Sequence, residues 1–427
     1  MTSPILWQDN AQTVRLIDIP RSIAAAQGTV QYPCHDTLLS SPALDTPYPT
    51  NEPKKGTAKN DAAPDHIHWR YAKTLTAALE EVRIGHTGDW CSPRTFIEPG
   101  GGKRKHEDAA NLPSHSVNEA SASASSKDLS FDEPSSSGLY LPLHETVGGG
   151  DFDLPVKDRV VSNTHNEQVM LSMRSPNQTG IIRIPPRSSF YIGDCHDSPS
   201  FRTAIREQAE QEDSRKAFDF ILLDPPWPNR SVRRTHKTPG ATYSVMSTLS
   251  DVEDLLFGMD LDMLMVDRCL VGIWITNKTV VRKLVLGTGG LFESWGVQLT
   301  AEWIWLKTTV HGEPVTPLDG AWRRPYEVLL VGRKHQSSLG ASSSVVDTKV
   351  IIGVPDLHSR KPCVRDLIEP LVHDPGDYRA LEVFARYLVA GWWSWGNECV
   401  KFNGVEHWSS SDISPAQPEA EVKSSDT

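Results

Sequence analysis

The sequence predicts an α/β protein built on a doubly wound, mainly parallel sheet. Two observations carry that prediction. Its apolar runs, such as "FDFILL" (218–223), "LVGIWIT" (270–276) and "EVLLVGR" (327–333), are continuous rather than alternating. Strands buried on both faces read this way, and such strands belong to sheets covered by helices on either side. Segments with helical spacing lie between these runs, as α/β alternation requires. The chain has 427 residues, 38% of them hydrophobic, which suffices for a substantial core.

Taken in order, residues 1–96 form an N-terminal accessory region. Within it "TVRLIDIP" (13–20) reads as a strand and "YAKTLTAALEEVRIG" (71–85) as an amphipathic helix. Residues 97–138 are rich in glycine, serine, alanine and charge. They cannot bury enough apolar area to fold alone and read as a disordered linker. The linker holds a basic cluster, "KRKHED", which is either a solvated charge run or a nuclear-import signal. A connecting segment (139–188) leads to the main α/β domain (189–408). There the candidate strands are 189–194, 218–223, 270–276, 300–307, 327–333, 349–354, 381–386 and 391–397. The helix "SDVEDLLFGMDLDMLM" opens with Ser250, and Glu253 three residues on suggests a capping box. A second helix spans 364–373, with Pro370 set to kink it. "GTGGLF" (287–292) reads as a turn, 335–347 as a polar insertion and 409–427 as a disordered tail.

Composition narrows the classes of function. A formal net charge of -11 argues against indiscriminate nucleic-acid binding by the whole surface and leaves room for a local basic site. The six cysteines are scattered without a CxxC pair, so neither a zinc site nor a disulfide framework is expected. The N-terminus lacks a secretory pattern, and no apolar run reaches the ~18 residues of a membrane span.

The chemistry concentrates in "ILLDPPWPNR" (221–230). In open α/β sheets ligands bind beyond the carboxyl ends of strands, and Asp224 is placed at such an end. Pro225 and Pro226 stiffen the turn and leave carbonyls free to accept. Trp227 offers a flat apolar face. The set suits a planar ring bearing an amine, with Asp224 and a proline carbonyl as acceptors and the indole stacked on the ring. The exocyclic amine of adenine is a poor nucleophile because its lone pair is delocalised. Two fixed acceptors favour a pyramidal nitrogen and stabilise the charge that grows on alkylation. An ordinary turn after a strand is the alternative for the tetrapeptide taken alone.

Further segments follow in order: "LLDPPWPNRSVRR", "YSVMSTLS", "WITNK", "AEWIWLKTT", "GEPVTPLD", "RRPYEVLLVGR", "HSRKP" and "LEVFARYLVAGWWSWGNE". Together they resemble the MT-A70 family of S-adenosylmethionine-dependent adenine-N6 methyltransferases over about 190 to 400. The resemblance implies a Rossmann-like methyltransferase fold in which the catalytic motif, Asp224 to Trp227, precedes the cofactor strand "LEVFAR". It implies S-adenosyl-L-methionine as cofactor. By residue match, Asp194 and Cys195 line its adenine, Ser359 and Lys361 hold its methionine part, and Asn397 and Glu398 contact its ribose. Glu382, Phe384 and Arg386 match the pocket between. Leu388 and Val389 depart from the family, standing where some RNA-methylating relatives have polar cofactor contacts. The chain has no Gly-x-Gly-x-x-Gly, so the cofactor rests on the resemblance.

Two basic loops flank the motif. Asn229, Arg230, Arg233 and Arg234 lie in "NRSVRRTHKTPGATYS" (229–244); Lys307, Arg323 and Arg324 lie in "LKTTVHGEPVTPLDGAWRRPYE" (306–327). They suit phosphate contacts beside a captured base, or a solvated basic face. His236 and His311 read as incidental. The resemblance implies RNA as substrate, a 2′-O-methyladenosine in a small nuclear RNA, and with it a nuclear location. A DNA adenine-N6 methyltransferase, a catalytically silent RNA-binding scaffold and a generic nucleotide-binding protein are the competing readings. No motif sets an oligomeric state.

Overall fold

A computed structural model describes residues 3–49, 66–96, 140–144, 151–155, 157–175, 178–228, 248–320, 323–335 and 345–409. Eleven strands form one sheet. In chain order they are β1 (Ile5–Gln8), β2 (Val14–Ile17), β3 (Val160–Ser162), β4 (Ser189–Tyr191), β5 (Phe218–Leu223), β6 (Met265–Ile275), β7 (Val297–Lys307), β8 (Tyr326–Lys334), β9 (Asp347–Gly353), β10 (Ala380–Val383) and β11 (Trp392–Trp395). Their spatial order is β1-β2-β9-β7-β8-β6-β5-β10-β11-β4-β3. Each of the eight strands expected between 189 and 397 is present, with ends shifted by a few residues. The pairings β5–β6, β5–β10, β7–β9, β9–β2, β10–β11 and β11–β4 are parallel. The pairings β1–β2, β6–β8, β7–β8 and β3–β4 are antiparallel. The parallel majority and the flanking helices bear out the α/β fold, and β8 enters against the common direction.

Continuous apolar strands bury both faces, as β5 shows. Phe220 and Leu222 join one core cluster, while Ile221 and Leu223 join another across the sheet. The second face is covered by α2 (His66–Gly85), α3 (Ser198–Gln211), α4 (Leu249–Gly258) and α5 (Thr279–Leu286). The first is covered by α1 (Ile19–Ala26) and by the aromatic residues Phe402 and Trp408. Burying a side chain such as Phe220 contributes about 1.5–3 kcal/mol, so these layers hold the sheet rigid beneath its loops.

The N-terminal region extends the central sheet, since β2 pairs with β9 through Val14, Arg15 and Leu16. The strand within 13–20 is shorter than its pattern and buried throughout. Asp18 ends it and caps α1 by accepting from Arg21 N–H, with Pro20 in the first turn. Within 139–188, β3 pairs with β4, and four strands form a separate antiparallel sheet (Tyr140–His144, Asp151–Pro155, Val169–Ser175, Gln178–Ile184).

The helix expected from Ser250 begins earlier. Thr248 is the cap and Asp251 its partner: Asp251 N–H donates to Thr248 Oγ1 at 3.2 Å and the Asp251 carboxylate accepts from Thr248 N–H at 2.9 Å. That start turns Val252, Leu255 and Leu256 into the core. Pro370 acts as expected: the helix of 364–373 is α-helical only over Arg365–Ile368 and continues as a 3-10 turn, Glu369–Leu371. The linker 97–138, including "KRKHED", and the tail beyond 409 lie outside the described residues. No helix among the described residues is long and apolar enough to cross a membrane.

Candidate active site

Strands β5, β10, β11 and β4 lie side by side and run the same way. Their carboxyl ends therefore meet at one edge, where sheets of this kind bind ligands. Asp224 follows β5, Phe384 follows β10, Asn397 and Glu398 follow β11, and Asp194 and Cys195 follow β4. Residues 190 positions apart in the chain become neighbours through this register alone. Because β8 is antiparallel to β6, its first residues, Tyr326 and Glu327, arrive at the same edge.

Asp224 stands at the end of a chain of alternating charge. Lys361 Nζ lies 3.4 Å from Asp224 Oδ1 and also binds Glu327 Oε2; Lys307 Nζ lies 2.6 Å from Glu327 Oε1. The Asp224 side chain is about one quarter exposed, so the turn is not an open surface feature. Burial raises the Asp224 pKa, outweighing the pull of Lys361. Glu327 is also penalised by burial, but the two lysines together hold it well below the usual carboxylate range. Burial pulls on Lys361 too, yet Asp224 and Glu327 keep it above its ordinary value. Glu327 was not legible as a site residue. Its one signal is an acid at the start of an apolar strand.

The turn itself is tighter than its sequence suggests. Trp227 N–H donates to Pro225 O at 2.8 Å, and Lys278 Nζ donates to Pro228 O. Pro226 O has no hydrogen bond among the described residues and is the proline carbonyl left to accept from a ligand. Trp227 departs from expectation. It is 8% exposed, packs in the core and donates Nε1–H to Trp274 O at 2.7 Å. Its indole is a wall that fixes the turn, because its N–H found a backbone partner inside.

Behind Asp224 a crevice is lined by Trp274, Ser359, Lys361, Glu382, Phe384 and Arg386, with Leu222, Pro362 and Tyr387. Glu382 is 8% exposed and its Oε2 has no hydrogen-bond partner among the described residues. Burial first, then the Asp224 charge, push its pKa up to about 8. Phe384 and Ser359 both hold positive φ, at 60° and 72°, which is unusual for residues with a side chain and clusters at binding sites. Gly396 lets the chain after β11 approach Phe384, since an added Cβ would sit 3.3 Å from Phe384 Cα. Arg386 lies 3.7 Å from Glu398, which ties the crevice to the β11 end. The buried Cys195 thiol rests against the Phe384 backbone, with burial driving its pKa far up. Asp194 is exposed and accepts from the His196 N–H at 3.0 Å and ring nitrogen at 2.9 Å. Leu388 and Val389 are fully buried in the core, so they offer the crevice no polar contact.

The loop that carries Ser359 and Lys361 is anchored by Arg360 between them. Its guanidinium is fully buried, 2.8 Å from Asp356 and 2.6 Å from Leu39 O, over the Phe402 ring. Of the residues expected to meet substrate, Asn229, Arg230, Arg233 and Arg234, together with His236, lie outside the described residues. Lys307 is committed to Glu327, so its first partner is a carboxylate and not a phosphate. Arg323 and Arg324 immediately precede Pro325 and Tyr326 at the site edge. His311 pairs with Asp45 at 2.9 Å on the surface. No His/Cys/Asp/Glu grouping that could hold a metal occurs among the described residues.

The site joins an acidic turn at a strand end to a charged crevice, on an α/β sheet. The MT-A70 family profile matches residues 218–398. The chain is 31% identical over 432 residues to the N6-methyladenosine RNA methyltransferase MTA1 of Pyricularia oryzae, covering 96% of this chain and 97% of that protein. It belongs to the MT-A70 family. The human N(6)-adenine-specific methyltransferase METTL4, the branch whose motifs the ordered segments resemble, is 35% identical over 278 residues, covering 62% of this chain and 53% of that protein. The Caenorhabditis elegans DNA N6-methyl methyltransferase is 30% identical over 218 residues, covering 50% of this chain and 52% of that protein. The chain thus spans nearly all of the fungal relative and about half of the other two.

Proposed function

We propose that this chain transfers a methyl group from S-adenosyl-L-methionine to N6 of an adenine in nucleic acid, with RNA as its first substrate. The observation that carries the reading is Asp224, fixed at the end of β5 and held by Lys361 at 3.4 Å, on the rim of the charged crevice. Family membership and relatives named for RNA and DNA adenine methylation support it.

The residues present fit the cofactor. Lys361 and Ser359 suit an amino-acid carboxylate, and the orphaned Glu382 Oε2 suits a cationic group that enters the crevice. Asn397 and Glu398, which follow β11, would hold the ribose, and Asp194 with Cys195, which follow β4, the adenine, as the motif resemblance implies. When bound, the cofactor supplies a methyl group made electrophilic by its sulfonium. Asp224 and the Pro226 carbonyl accept the two N–H bonds of the exocyclic amine and draw its lone pair out of ring conjugation. Lys361 aims the Asp224 carboxylate, and Glu327 aims Lys361. Burial raises the proton affinity of Asp224, which equips an Oδ atom to take up the proton that N6 sheds.

Within RNA, a 2′-O-methyladenosine of a small nuclear RNA is the finer substrate, as the motif resemblance implies, and a nuclear location goes with it. The test incubates the chain with labelled S-adenosyl-L-methionine and three matched oligonucleotides bearing adenosine in RNA, 2′-O-methyladenosine in RNA, or deoxyadenosine in DNA. Asp224→Ala is the control. Preference for 2′-O-methylated RNA supports the finer reading and preference for DNA moves the substrate to DNA. Full activity in Asp224→Ala overturns the mechanism. Absence of both transfer and cofactor binding favours a silent scaffold.

A further inference from the structure

The first two turns of α2 carry a feature that the catalytic reading does not use. Trp69 is 67% exposed, an unusual state for the largest apolar side chain. Lys73, one turn on, places Nζ 5.7 Å from the Trp69 ring centroid. His66, His68, Arg70 and Lys73 fall within residues 66–73, with no acid among them, in a chain whose net charge is -11. The acids of α2, Glu80 and Glu81, come at its other end.

This cationic end adjoins the active site. His68 Nδ1 lies 2.7 Å from the Tyr326 hydroxyl, and the Tyr71 ring meets the Tyr326 ring edge-on at 5.9 Å. Tyr326 directly precedes Glu327, which holds Lys361. Arg70 is tethered to Glu302 at 2.5 Å but keeps its side chain 56% exposed. An exposed aromatic face with cations beside it, joined to a base-capturing site, has the make-up of a single-strand stacking platform.

We propose that His66 to Lys73 hold single-stranded nucleic acid next to the target base, with Trp69 stacked on a flanking base and Lys73 facing its phosphates. The inference rests on the nucleic-acid substrate proposed above and adds to it the surface that receives the strand.

The test uses the full chain with fluorescein-labelled single-stranded RNA and DNA dodecamers, read by anisotropy across a salt series. Trp69→Ala should weaken binding by roughly 5- to 100-fold, and Trp69→Phe should recover most of it, because any aromatic ring stacks. Lys73→Ala should shallow the slope of log K against log salt by about 0.7. Trp69→Ala should lower kcat/KM on the dodecamer but not on a trinucleotide too short to reach α2. Wild-type binding by Trp69→Ala overturns the platform. So does a loss shared equally by Trp69→Phe, or one accompanied by a fall in thermal midpoint or in S-adenosylhomocysteine affinity. A wild-type chain that binds neither polymer overturns the nucleic-acid reading itself, and that result is seen before any variant is made.

Discussion

Glu302 on β7 and Glu327 on β8 stand on paired strands, each between two cations. Glu302 binds Arg282 and Arg70 and accepts from the Tyr71 hydroxyl at 2.9 Å; its side chain is 3% exposed. Glu327 binds Lys307 and Lys361, and its side chain is 25% exposed. The first cluster uses planar guanidinium forks, which hold geometry well, and it fastens α2 to the sheet. The second uses lysines, compact charges on flexible stems, and it ends on Asp224 at the crevice. A sealed acid with rigid partners serves as a staple. The less buried acid hands its charge contacts on through Lys361 to Asp224, the carboxylate that we propose receives the substrate amine.

The largest expected effect lies at the open end. Asp224→Asn, matched in size, should cut turnover about 1000-fold with the folded state retained, measured as label transfer against a far-UV spectrum. A loss of only a few fold would mean that the cluster does not carry the chemistry. Next comes the staple. Glu302→Gln leaves Arg282, whose side chain is 17% exposed, without its countercharge and should cost about 1–3 kcal/mol in denaturant unfolding. Turnover per folded molecule should stay close to wild type; a parallel collapse of turnover would show that the two clusters act as one.

Glu327→Gln sits between these in character, with a smaller effect on stability. Lys361 keeps Asp224 but loses its second anchor, and kcat should fall roughly 10- to 100-fold. Glu327 also helps keep the Lys361 pKa raised. Its removal should therefore bring the alkaline fall in activity to lower pH, read from a kcat profile. An unmoved alkaline limb would break the link between Glu327 and Lys361.

The smallest effect concerns Glu382, whose folded pKa of about 8 lies above its unfolded value through burial. An acid raised in this way favours the fold fully below its unfolded pKa and progressively less as pH climbs to the folded value. From pH 6 to pH 7 the cofactor-free wild type should lose about 1.4 kcal/mol relative to Glu382→Gln, measured by unfolding at both pH values. Equal pH slopes for the two proteins would show that Glu382 is ionised in the fold.

Much of the fold was legible because burial on both faces leaves a direct trace. A strand such as Phe218–Leu223 must be apolar at successive positions, and it was bounded from sequence to the residue. Val160–Ser162, at one sheet edge, is three residues long, too short for its two valines to set a period, and no strand was expected there. The start of α4 was misplaced by two residues, since Thr248 and Ser250 are both plausible caps and only core packing chooses between them.

The sequence by itself determined the chemistry on offer: an aspartate at a strand end, a stiff proline turn, a lysine loop and an acid within an apolar strand. It also determined the alternation of strand and helix, because periodicity is a local property. The tertiary structure alone decided which of these groups meet. Antiparallel entry of β8 brought Glu327 to the site, and internal packing turned Trp227 from an open face into a wall. The Lys307–Glu327 pair took up a charge that the sequence left for phosphate. Pairings of this kind depend on strand order and direction, which arise from long-range contacts that no local pattern encodes.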